Sequence, residues 1–359
     1  VSWLLAFAGF ALLIILHEAG HFAAAKAVGM RVERFSLFFG RPLVSFRRGE
    51  TEYGIGPIPL GGYVKITGMN PREEFADDVA TRAYYRQPVW KRVVVIAAGP
   101  AVNVVLAFVL LWGVFVVNGE YVGTRQVSSS GLEQPATRYL QPGDRLVSVD
   151  GVRGDLTAIA GQVARHRCAG RPVDGCVATT AAHVVVARDG RRLAFDIRPR
   201  YDASRGIHRT RLGFTYAQRH VTYGVGSAAS VSASKMWQVT TGTAHIFSRI
   251  FDAKERKQLS GVVGGYEVTR QSFAFSVAQA LYILALISLS LALINLLPLL
   301  PLDGGHIFWA LAEKLRGRPI PFAVMEGASA VGFVLVIMLG VIGLTNDIGR
   351  LQHGGFNLR

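Results

Sequence analysis

The chain has 359 residues, half of them hydrophobic and only 18% charged, with a mean hydropathy of +0.32. Soluble domains carry about 25% charged residues, so this composition excludes disorder and argues against a wholly soluble fold. The net charge of +15 is spread through the polar segments without a compact basic cluster interleaved with aromatics. It therefore points to anionic lipid headgroups and not to nucleic acid.

Four stretches carry no charge: residues 1–16, 93–119, 271–302 and 327–346. A membrane-spanning helix needs about 20 apolar residues. The last three runs meet this directly, and the first does so if it continues through His17, Glu18 and His21. The expected spans are 1–28, 93–117, 275–302 and 321–343. Residues 1–16 lack a basic start and a small-x-small cleavage site, which argues against a removable signal peptide.

The first span carries His17-Glu18-Ala19-Gly20-His21, an HExxH pattern. On a helix, residues i and i+4 share a face, so both imidazoles can reach one metal ion. The intervening Glu18 is then placed to act as a general base. An ionisable trio inside a span is costly and by default marks function.

Residues 31–68 are rich in β-branched and aromatic residues punctuated by Gly and Pro. They predict β-hairpins beside the membrane, with a turn at Arg48-Gly49-Glu50. Residues 69–92 read as a loop. Residues 31–92 hold 11 Lys and Arg, and the short 303–320 stretch holds three. By the distribution of basic residues both segments face the cytoplasm, which puts the long segment between the second and third spans outside.

Within that segment, residues 121–203 read as a small α+β domain. It has a helix near 155–166 and a strand pair, His183 to Ala187 and Leu193 to Ile197, closed by an Asp189-Gly190 turn. Its polar insert carries Cys168 and Cys176, which form either a small disulfide or two free thiols. Residues 220–265 are expected to form an amphipathic segment at the outer surface.

The third span ends in Asn295-Leu296-Leu297-Pro298-Leu299-Leu300-Pro301-Leu302-Asp303-Gly304-Gly305. Asp303 is the first charge after 32 uncharged residues. A helix cap is one role for it. The other is the third ligand that a catalytic zinc needs. The first and third spans run in the same direction, so HExxH and Asp303 fall at one depth.

These motifs resemble the site-2 proteases, the intramembrane zinc metalloproteases, and within them the bacterial regulator-of-sigma-E group. The likeness covers nearly the whole chain: HExxH, the NLLPLLPLDGG run, four spans, a β-rich insert and one PDZ-like domain. The second proline of the run, Pro301, lies one residue later than is usual in the family, and the Leu259–Gly264 stretch lacks the family's proline. The resemblance implies a polytopic helical membrane protein with His17, His21 and Asp303 as zinc ligands and Glu18 as catalytic base. Asn295 would contact substrate. So would the insert's Gly61, Gly62 and Tyr63, through an exposed strand edge that holds an extended peptide. It further implies a single-span membrane substrate of the pre-cleaved anti-sigma-factor kind, a peptide at the PDZ-like domain, and residence in the inner or plasma membrane with the active site toward the cytoplasm. Two alternatives stand beside it: clearance of remnant signal peptides, and a catalytically silent scaffold.

Overall fold

The structure, a computed structural model, describes residues 1–70, 73–203, 209–249, 252, 256 and 259–352. Contacts divide the chain into two units, one of residues 1–118 with 223–359 and the other Gly119–Thr222.

The first unit is built on helices and carries one β-sheet. Helix α1 (Ser2–Ala27) and α2 (Val89–Asn118) are long and apolar. After α2 come α4 (Val225–Ser248), α5 (Val262–Phe275), α6 (Val277–Asn295), α7 (Asp303–Arg316) and α8 (Phe322–Gln352). Four of these are long and apolar enough to cross a membrane: α1, α2, α6 and α8. The chain is a multi-pass membrane protein. Helix α2 buries Arg92, Val95, Ile96, Gly99, Asn103, Ala107 and Leu111. Their three- and four-residue spacing makes one continuous buried face, which packs against α1, α6 and α7.

Two expected boundaries move. The third span does not run to the Leu-Asp-Gly sequence. Helix α6 stops at Asn295, because Pro298 and Pro301 cannot supply the backbone N–H that a continuing helix needs. Asp303 instead opens a new helix, α7. The last helix runs past 343 to Gln352. Its Asp347, which marks a boundary by charge, is fully buried. That carboxylate accepts hydrogen bonds from Ser260 Oγ (2.8 Å) and from the backbone N–H groups of Gly261 (2.9 Å) and Gly264 (2.7 Å). Those amides belong to the start of α5, where helix N–H groups lack internal partners.

Between α1 and α2 lies a four-stranded sheet of β1 (Val32–Phe39), β2 (Val44–Arg48), β3 (Thr51–Ile55) and β4 (Ile58–Ile66). The spatial order is β2-β3-β1-β4. Strands β2 and β3 form a hairpin, with Gly49 at φ +62° in its turn. Strand β1, however, pairs parallel with β3 and antiparallel with β4, so the segment is one mixed sheet and not a row of hairpins. Aromatic rings tie it to α1: Phe22 meets Phe35 (5.4 Å between centroids) and Tyr53 (5.9 Å), and Tyr53 stacks on Phe46 (5.2 Å). Beneath it, Ala25, Met30, Val32, Ile66, Tyr84, Val95 and Ile96 form a buried cluster.

The second unit has a five-stranded sheet in the order β11-β5-β6-β7-β8. Its strands are β5 (Glu120–Val127), β6 (Arg145–Val149), β7 (Ala182–Arg188), β8 (Arg191–Ile197) and β11 (Tyr216–Val221). Two short strands, β9 (Arg200–Asp202) and β10 (Arg209–Arg211), pair separately. The β7–β8 hairpin turns at Asp189 and Gly190, both at positive φ, as a two-residue hairpin loop requires. Helix α3 (Leu156–Val163) is capped by Asp155, whose carboxylate accepts from Ala158 N–H. Cys168 and Cys176 are joined in a disulfide with a Cα separation of 6.2 Å.

The unit outgrows the expected 121–203. Strand β11 returns to pair with β5 through Val221↔Glu120 and its neighbours. Residues 220 and 221 therefore belong to the sheet and are not the start of an amphipathic segment. The rest of the expected 220–265 stretch holds α4, whose first turns join Leu111, Phe115 and Ala285 in a buried cluster through Ala228. It also holds the first turn of α5, which packs on α1 and α6.

Candidate metal centre

Helix α1 delivers His17 and His21 one turn apart, both buried. Their Nε2 atoms lie 3.2 Å from each other. Asp303, at the first position of α7, brings Oδ2 to 3.2 Å from His17 Nε2 and 3.4 Å from His21 Nε2. Residues 286 positions apart thus converge, and among the described residues these three are the one group of His, Cys, Asp and Glu able to hold a metal ion.

The trio fits a zinc ion. Tetrahedral bonds of about 2.0–2.1 Å put neighbouring ligand atoms about 3.3 Å apart, close to the three separations found. The donor chemistry agrees. His21 Nδ1 lies 2.9 Å from the Val95 carbonyl, an acceptor only, so Nδ1 carries the proton and Nε2 presents a lone pair. His17 Nδ1 lies 3.1 Å from the side-chain amide of Asn103. Turned away from the ring, Asn103 Oδ1 is buried with no donor. Turned toward it, Oδ1 accepts from Nδ1–H, and His17 Nε2 is also bare. Metal-bound histidines ordinarily donate their second N–H in this way. Asp303 Oδ2, likewise buried, has no hydrogen-bond donor among the described residues. Three lone pairs then face one point, an arrangement that a cation resolves.

Close backbone approach seats these ligands. A Cβ on Gly99 of α2 would stand 2.6 Å from Cε1 and 2.7 Å from Cδ2 of His21. A Cβ on Gly20 would stand 2.7 Å from the Ala98 carbonyl oxygen. A Cβ on Gly305 would lie 2.6 Å from the Leu299 carbonyl carbon, so the 296–302 loop folds directly onto the start of α7.

Glu18, next to His17 and three residues before His21, is partly buried and within electrostatic reach of His21, His17 and Asp303. Gly62 of β4 adjoins it: a Cβ there would come within 3.0 Å of both Glu18 Cγ and the Ser36 carbonyl oxygen. Asn295, the last residue of α6, lies with Nδ2 3.4 Å from His17 Nε2. Gly61 faces the Phe39 ring. The Tyr63 side chain is engaged elsewhere. Its hydroxyl accepts from Arg34 (3.2 Å), and its ring stacks on Phe39 at 6.1 Å. Of the residues singled out in the insert, Gly62 is the one beside Glu18. Strand β4 is an edge of its sheet.

Val95, Gly99 and Asn103 escaped the sequence reading. The one available signal was Gly99-Pro100-Ala101-Val102-Asn103: a glycine and a carboxamide one turn apart inside an uncharged run.

Comparison with known proteins gives concordant results. Residues 5–339 match the model of peptidase family M50. A Rhizobium meliloti protein assigned the name zinc metalloprotease is 30% identical over 362 residues, covering 95% of this chain and 94% of that protein. A Nostoc protein with the same assignment is 30% identical over 363 residues, covering 98% and 97%. The zinc metalloprotease Rip1 of Mycobacterium tuberculosis is 30% identical over 390 residues, covering 93% and 94%.

Proposed function

The chain belongs to peptidase family M50, the site-2 protease family, and on that premise we propose that it is a zinc-dependent endopeptidase. Its substrates are single-span membrane proteins, cut in or near their membrane segment. The observation that carries this reading is the convergence of His17, His21 and Asp303 beside Glu18. A silent scaffold has no use for that base.

His17, His21 and Asp303 would hold the zinc, which there would supply a Lewis acid to polarise a substrate carbonyl and acidify a water molecule. Glu18 takes the proton from the attacking water and passes it to the departing amine. Asn103 and the Val95 carbonyl keep the two imidazoles in the tautomer that faces the metal. Asn295 is near enough to His17 to meet substrate at the same place.

A helical peptide bond is shielded by its own hydrogen bonds, so the substrate must be drawn out before it is cut. The edge of β4 offers the means. An extended segment adds to the sheet there, with Gly62 leaving room between strand and Glu18. The second unit is a PDZ-like domain that receives an extended peptide along an edge of its sheet. The basic 31–92 and 303–320 segments support an orientation with the metal centre toward the cytoplasm and residues 119–222 on the outer side. A substrate already trimmed on the outer side, of the anti-sigma-factor kind, suits that arrangement.

The test compares wild-type and Glu18→Gln protein on a single-span model substrate in detergent, with zinc measured in both. Loss of general acid–base catalysis lowers turnover by about 10²–10⁴-fold while zinc stays bound. Undiminished cleavage by the zinc-loaded variant removes Glu18 from its role.

A further inference from the structure

Arg92, at the start of α2, is almost wholly buried, its side chain 3% exposed. It forms a two-pronged ion pair with Glu313 of α7, donating from one guanidinium nitrogen to Oε2 (3.0 Å) and from the other to Oε1 (2.6 Å). The guanidinium also lies over the Tyr85 ring at 5.8 Å. A buried charge of this kind is costly to maintain, and nothing in the proposed reaction uses it.

Its place on α2 shows what it holds. Arg92, Gly99 and Asn103 are seven and eleven residues apart. At 100° per residue they fall within about 20° of one line along the helix. Gly99 seats the His21 ring, Asn103 meets His17, and Arg92 grips the helix that begins with Asp303. One stripe of α2 therefore touches all three candidate ligands or the element carrying them.

The two histidines share a rigid helix, but Asp303 does not. It is separated from the end of α6 by the irregular 296–302 loop, so α6 alone cannot set its position. The loop packs on the start of α7 at Gly304 and Gly305, and the body of α7 is docked on α2. The Arg92–Glu313 pair is the charged bond in that docking, ten residues along α7 from Asp303, or about 15 Å at the helical rise.

We propose that Arg92 and Glu313 are positioning residues for the metal centre: their ion pair holds α7 on the stripe of α2 that seats both imidazoles, and so sets the Asp303 carboxylate beside them. The proposal rests on the zinc reading above. A pair this distant from the ligands acts on the metal only through the placement of α7. A two-pronged guanidinium–carboxylate bond fixes orientation as well as distance.

The experiment measures zinc affinity by chelator competition on the full-length protein in detergent, with thermal melting alongside. The variants are Arg92→Met, Glu313→Met, Arg92→Lys and Glu313→Gln. Misplacing a supporting group lowers metal affinity by about 10–100-fold. That loss is expected in Arg92→Met and Glu313→Met, with partial recovery in Arg92→Lys, which keeps the charge but not the fork. The cobalt-substituted protein supplies a second readout: its visible absorption shifts in the variants if the carboxylate has moved. Should the methionine variants fail to fold, Arg92→Lys and Glu313→Gln decide the matter. Folded variants that bind zinc as tightly as wild type overturn the proposal and leave the protease reading intact. Wild-type protein that binds no zinc overturns the protease reading itself.

Discussion

Gly99→Ala puts a single methyl group where the structure has room for none. The added carbon would lie 2.6 Å from Cε1 and 2.7 Å from Cδ2 of His21, whereas ordinary contact begins at 3.4 Å. The shortfall is 0.8 Å at the nearer ring carbon, from 3.4 Å less 2.6 Å. The imidazole has little freedom to absorb it. Nδ1 is bonded to the Val95 carbonyl one turn earlier on the same helix, and Gly20 holds α1 close against Ala98. Ring or helix must therefore move by close to 1 Å, several times the tolerance of about 0.2 Å on a zinc–ligand distance. Zinc affinity should fall by about 100-fold or more, beyond what loss of a supporting hydrogen bond produces. The assay is zinc stoichiometry after dialysis against a graded chelator, with Gly113→Ala as control. Gly113 lies on the same helix with nothing within 4 Å of its would-be Cβ, so that variant should keep its zinc. If Gly99→Ala binds zinc like wild type, the close packing of α2 on His21 does not govern the centre.

Two further predictions concern the parts around the centre. Glu50, in the β2–β3 turn, is held down to about 2 from 4.5, chiefly by its hydrogen bonds from Arg82, with burial opposing and Lys26 assisting. A folded-state value below the unfolded one stabilises the protein fully above about 4.5, and that stabilisation is lost as pH falls toward 2; the gap in melting temperature between wild type and Glu50→Gln should accordingly shrink between pH 6 and pH 3. In the second unit, Asp144 is 1% exposed and receives two bonds from Arg188 at 2.7 Å and one from Gln141 N–H at 2.8 Å. Asp144→Ala leaves that guanidinium unpaired and should cost about 3 kcal/mol in denaturant unfolding of this unit without altering zinc affinity, which also makes it a control for the Arg92 variants.

What could be read from the residues divides along physical lines. His17, Glu18 and His21 were legible because helical period alone brings i and i+4 together. Asp303 was legible because a charge closing a long apolar run is costly. The Asp189–Gly190 turn was legible because few residue pairs accept its backbone angles. Val95, Gly99 and Asn103 were not, since they act through a carbonyl, an absent side chain and a neutral amide, none of which disturbs hydropathy. The parallel β1–β3 pairing and the return of β11 to β5 were hidden for another reason. Both join strands distant in sequence, and alternation along a strand does not name its neighbour. The end of α6 was misjudged because apolar residues continue past Asn295, although the prolines already forbade a helix there.

The buried carboxylate of Asp347 bears on how the protein is assembled. Arg350 on the same helix lies 3.8 Å from Asp347, but the carboxylate's hydrogen-bond donors lie elsewhere, and an aspartate lacking them opposes insertion by up to about 2.5–3.5 kcal/mol at mid-depth. Ser260, Gly261 and Gly264, which receive it, all precede α8 in the chain and so leave the ribosome first. The final helix thus meets a dock already made, and its settling into place waits on α5.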